Sequence, residues 1–169
     1  QSLLGAQKYQ AALDLAVTAL REENEDNNQL ASTLNGLRCL ALYGLKEFSH
    51  ATLMLNSFLG QSNLRAGDAL LFAKQLRLLD ATASARVVLD RATVLDPRNQ
   101  AALGELLRID AAAGHRVKLA ENLPKFLRRR KPSRAVLEET LLQLDQPADA
   151  PLRDQIRSAL ARASATPAP

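Results

Sequence analysis

Apolar residues recur in this chain at steps of three and four, in segment after segment. Sustained alternation with β-branched enrichment is found in none of them. That period places side chains on one face of a helix. The sequence reads as nine such segments, over 8–21, 29–43, 47–59, 66–79, 82–95, 99–113, 115–130, 134–144 and 151–163. The turns between them are short, which predicts antiparallel helix pairs. Composition agrees: 47% of residues are hydrophobic but only 4% aromatic, with no Trp, so the core must be built from Leu, Ala and Val. Seven Gly and seven Pro are too few for an all-β domain of many tight turns.

The punctuation between segments is specific. Gly44 directly follows the second stripe and reads as a stop. Asp96, Pro97, Arg98 and Asn99 form a terminator, since Pro cannot continue a helix and Asn99 can cap the next. Ser133 is placed to cap the eighth helix, and Pro151 opens the ninth where Pro is tolerated. Pro124 predicts a kink or break in the seventh. Residues 164–169, rich in Ala and Pro, read as a disordered tail.

The segments also repeat. Gly5, Tyr9 and Ala12 align with Gly44, Phe48 and Ala51 at an offset of 39 residues. Over 66–99, Ala69, Phe72, Ala73, Leu76, Ala85, Leu89 and Ala92 alternate small and large side chains and close on Asp96 and Pro97. Leu103, Leu106, Leu107, Gly114, Leu119, Phe126 and Pro132 continue the pattern over 100–133. This resembles the tetratricopeptide repeat, which pairs two helices in about 34 residues with small residues at the helix contacts. Leu119 departs from it, standing where the family prefers Ala. The resemblance implies an all-α, right-handed superhelical array of antiparallel helix pairs. It would form a single domain over 1–163, with a partial unit at 1–28, units at 29–65, 66–99 and 100–133, and a capping pair at 134–163. The 29–65 unit is longer than the family period, so its turn or packing should differ. A related helical-hairpin array of another family is the alternative.

Charge divides unevenly: residues 1–84 carry 7 Lys and Arg against 8 Asp and Glu, and residues 85–169 carry 15 against 10. Part of the excess is one run, Arg128, Arg129, Arg130 and Lys131. Cations at a helix C-terminus complement its dipole, but one or two suffice. The surplus suggests contact with an anion or an acidic peptide. Nucleic acid fits less well, because no aromatic residues are interleaved for base stacking. No apolar run is long enough for a membrane span. Cys39 is the only cysteine, excludes an internal disulfide, and lies in an apolar stretch that predicts a buried, inert thiol. It does not discriminate cytoplasm from periplasm. The chain begins inside a periodic pattern and reads as a fragment, so a targeting segment may precede it.

No catalytic, cofactor or metal constellation is legible. His50 and His115 lack Cys, Asp or Glu partners at metal-ligand spacing and read as surface or capping residues. The expected function is therefore a non-catalytic scaffold for a protein or peptide, with no cofactor. Tetratricopeptide arrays hold partners in a groove lined by their first helices. The resemblance thus implies Asn35, Arg38, Lys74, Arg77 and Arg108 as groove-lining residues. The family's carboxylate clamp is not reproduced. A structural spacer in an envelope, secretion or polysaccharide-export assembly is the alternative. The uncovered apolar end, where a first helix is missing, offers a route to a homodimer.

Overall fold

A computed structural model describes residues 3–22, 28–128 and 132–165. Among the described residues the chain is all-α, with nine α-helices. These are α1 (Leu3–Glu22), α2 (Asn28–Leu45), α3 (Phe48–Leu59), α4 (Ala66–Leu78), α5 (Thr82–Leu95), α6 (Gln100–Ala112), α7 (Arg116–Leu127), α8 (Arg134–Leu142) and α9 (Ala150–Ala165). A short 3-10 turn, Pro147–Asp149, precedes α9. Consecutive helices pack as antiparallel neighbours, α1 on α2, α2 on α3, α4 on α5, α6 on α7 and α8 on α9. The chain divides into two compact units, 1–95 and 96–169.

From α3 onward the helix starts keep one strict period. The helices α4, α6 and α8 begin at residues 66, 100 and 134, each 34 residues after the last. The helices α3, α5, α7 and α9 begin at 48, 82, 116 and 150, again 34 apart. The same interval relates the ends of α2, α4 and α6, where Lys46, Asp80 and Gly114 take positive φ values of 66°, 58° and 71°. At each end the left-handed residue donates its N–H back to the third carbonyl before it. The following N–H reaches the carbonyl one residue further back, as in Glu47 N to Leu42 O (3.0 Å), Ala81 N to Leu76 O (2.9 Å) and His115 N to Asp110 O (2.8 Å). This is the Schellman arrangement, which satisfies the last helical carbonyls. Buried side chains follow the period: Ala51, Ala85 and Leu119; Leu55, Leu89 and Leu123; Phe58, Ala92 and Phe126.

Two expectations are corrected here. Gly44 does not end α2, which continues to Leu45. A Cβ on Gly44 would lie 2.5 Å from the Tyr9 ring, so this glycine lets α1 approach α2 closely. The stop is Lys46, held left-handed at a position where Gly is the usual choice. The 39-residue offset between Gly5 and Gly44 therefore marks no structural repeat. Nor does the α2–α3 pair have an unusual turn. Its extra length lies at the start of α2, which has 18 residues against 13 in α4.

Capping follows the sequence in part. The Asn99 side chain accepts the Ala102 N–H at 3.0 Å. Ser133 holds the N-cap position of α8, but its side chain makes no cap hydrogen bond. The helix α7 carries Pro124 inside it without a break and ends at Leu127, with Arg128 at its C-cap, short of the expected 130. The helix α9 reaches Ala165, two residues into the segment expected as tail.

Each unit has its own apolar interior. In the first, Ala51, Leu55, Phe58, Ala69, Phe72, Ala73 and Leu76 are buried. In the second, Leu103, Leu107, Leu119, Leu123, Phe126, Leu137 and Ile156 belong to one cluster. Arg116 secures the second unit by a salt bridge of 2.9 Å to Asp149, which is buried. It also donates to the carbonyls of Ala111 (2.9 Å) and Gln143 (3.0 Å).

Candidate functional site

The helices α2 and α4 touch in the first unit, and the face they share is open. Leu37 and Leu40 of α2 and Leu71 of α4 border a cavity of ≈ 210 Å³. Its floor is aromatic: Phe58 and Phe72 pack with ring centroids 4.4 Å apart and planes inclined at 34°. Gly36 lies beside these rings, where a Cβ would meet Phe58 at 3.4 Å and Phe72 at 3.7 Å, ordinary contact distances. Thr33, Asp68 and Gln75 supply a polar rim. Leu37 is 49% exposed and Leu71 61%. Large apolar side chains singly exposed are ordinary, but two bordering one apolar cavity form a surface that gains by being covered.

The residues expected to line a groove are not gathered here. Asn35 is half-buried and Lys74 and Arg77 are exposed, and none of the three borders this cavity. Arg38 lines a different cleft, of ≈ 540 Å³, with Leu13 and Val17 of α1 and Leu53 and Met54 of α3. Asp14, Glu47 and His50 share that cleft. The Asp14 carboxylate accepts a hydrogen bond from Gln10 (2.9 Å), and His50 Nδ1 lies 3.2 Å from Glu47.

Arg108 is engaged within the second unit. Its guanidinium donates to Glu105 Oε1 at 2.9 Å and to both carboxylate oxygens of Glu139, so it ties α6 to α8. The Glu139 hydrogen bond, with the nearby Glu105 charge, raises the Arg108 pKa further above its ordinary value despite partial burial. The expected reading of Arg108 as a groove contact has this latch as its observed setting. A charge reversal at Arg108 would disturb α6 against α8.

Arg128 is exposed at the C-cap of α7. It borders a hollow of ≈ 630 Å³ with Arg98, Lys125, Pro97 and Gln100. Arg129, Arg130 and Lys131 lie outside the described residues. The contribution of Arg98 was missed in the sequence because it comes from the turn before α6, about thirty positions from the cationic run.

The groups with potential for chemistry are dispersed. Among the described residues, no three His, Cys, Asp or Glu side chains gather as a metal site requires. His115 stands at the N-cap of α7 without a side-chain cap bond, its Nδ1 3.3 Å from the buried Asp110. Cys39 is fully buried, its Sγ donates to the Ala51 carbonyl at 3.4 Å, and burial pushes the thiol pKa up to about 12. No described helix is long and apolar enough to cross a membrane. No protein-family model, curated protein or solved structure matches the chain.

Proposed function

We propose that this chain is a non-catalytic, tetratricopeptide-like scaffold that holds an apolar segment of a partner protein between α2 and α4. The carrying observation is the pair of exposed leucines, Leu37 and Leu71, beside an apolar cavity with an aromatic floor. The 34-residue interval between the starts of alternate helices from α3 onward supports the family reading and the right-handed stacking it implies. A helix or extended strand offering one large apolar side chain would fill the cavity and cover both leucines. Fully burying a Leu side chain contributes about 1.5–3 kcal/mol, so these two residues would act as the anchors of the contact.

The test places a photo-crosslinking amino acid at Gln75, on the rim, in the native host. The expected result is a discrete cross-linked protein that Leu37→Asp with Leu71→Asp abolishes, while the same crosslinker at exposed Leu142 in α8 does not capture it. Cross-linking that survives the double substitution in a folded chain would remove the groove from the function.

A further inference from the structure

The described cations of the second unit sort into three groups. Arg108, Arg116, Lys118, Arg134 and Arg157 each pair with a carboxylate. Arg153 and Arg162 donate to backbone carbonyls. Arg98, Lys125 and Arg128 have no carboxylate partner among the described residues, and these three border one hollow of ≈ 630 Å³. Asp96, the acid nearest to Arg98 in sequence, accepts the Arg98 backbone N–H at 3.0 Å, and Glu121, the acid nearest to Lys125 and Arg128, pairs with Lys118 at 3.2 Å. The Lys125 ammonium donates to the neutral Asn122 amide oxygen at 3.1 Å.

Helix electrostatics explain part of this arrangement. Lys125 lies in the last turn of α7 and Arg128 at its C-cap, where the dipole favours cations. Arg98 has no such reason, since it precedes the N-terminal end of α6, where the dipole favours anions. Three like charges around one hollow repel one another, and a bound anion relieves that repulsion.

We propose that this hollow is a docking site for an acidic, Asp- and Glu-rich segment of a protein partner, separate from the groove between α2 and α4. Three features favour a peptide. The hollow has the volume of a site for several groups rather than one small ion. Among the described residues, no aromatic side chain borders it to stack a base. Arg98 and Arg128, as guanidinium forks, suit carboxylate recognition.

The experiment uses the full chain and a fluorescein-labelled peptide of alternating Glu and Gly, read by anisotropy at several salt concentrations. Binding is expected to weaken as salt rises. Arg98→Glu is expected to weaken it by at least about tenfold, with Arg128→Glu as the second variant. Arg157→Glu makes the same charge change at a cation already paired and should stay within about twofold of the parent. Thermal melts establish that each variant is folded. Equal losses in Arg98→Glu and Arg157→Glu would show general charge attraction and overturn the site. Tighter, Arg98-dependent binding of single-stranded DNA of matched charge would overturn the peptide assignment in favour of nucleic acid. The absence of peptide binding to the parent chain would overturn it as well.

Discussion

One register position separates the two units. Leu37, Leu71 and Glu105 follow each other at intervals of 34 residues on α2, α4 and α6. In the first unit the side chain is an exposed leucine beside a cavity. In the second it is a buried glutamate, 8% exposed, paired with Arg108, which is also bound to Glu139. The neighbouring glycines diverge likewise. Gly36 faces the Phe58–Phe72 floor with room for a methyl group, whereas a Cβ on Gly104 would press on Val136 at 3.2 Å and Phe126 at 3.4 Å. The same helical framework thus leaves a face open where its residues are apolar and unmatched. It closes that face where they are charged and matched to the next helix.

The largest test of this contrast sets a closed position against an open one. Phe126→Ala should lower unfolding free energy by about 3–5 kcal/mol, whereas Leu71→Ala should change it by less than about 0.5 kcal/mol, both read by urea denaturation. Similar losses at the two positions would mean that the face between α2 and α4 is packed rather than open. Next in size is Arg116→Met, which leaves the buried Asp149 without its cation and should cost about 3 kcal/mol. Asp149→Asn in the same background should restore part of that loss.

The glycines provide a graded series. Gly44→Ala drives a Cβ into the Tyr9 ring and should destabilise by about 1–3 kcal/mol, although Ala is the better helix former. In Gly36→Ala the helix preference prevails, giving a gain of about 0.5–1 kcal/mol. Gly104→Ala should fall between them, because Val136 must give way; thermal melts rank the three. Asn99→Ala loses a side-chain cap and should cost about 1 kcal/mol, while Ser133→Ala, which loses no cap bond, should cost less. Stability at high pH tests the burial of Cys39 separately. Burial raises the folded pKa of Cys39 from 9.0 to about 12, so its contribution is complete below pH 9 and is lost as pH rises towards 12. At neutral pH a disulfide reagent should label Cys39 only after denaturant is added.

Much of the fold was legible because it depends on local periodicity. The starts of α4, α5 and α8 coincide with the expected residues, and Asn99 caps α6 as its position suggested. Gly44 misled because glycine serves two purposes, a left-handed turn and a close contact, and only the partner ring distinguishes them. The true stops at Lys46 and Asp80 were hard to read, since Lys does not advertise a positive φ and Asp does so only weakly. The site was less legible than the fold. Charged residues on first helices were expected to mark the groove, but Arg108 is paired, Arg38 faces another cleft, and the open surface is made of leucines. Leu37 and Leu71 lie on apolar helices, and nothing in the residue type says which leucine remains uncovered.

The sequence alone determined the number of helices, their pairing with short turns, the cationic bias of the second half and the burial of Cys39. These follow from hydrophobic period, turn residues and covalent order, which are local properties. The tertiary structure decided what neighbours each face received. It left Leu37 and Leu71 at an open cavity, gave Arg108 two carboxylates, and set Arg98 beside Lys125 and Arg128. Exposure and ion pairing depend on groups distant in sequence, and only packing brings such groups within a few ångströms of one another.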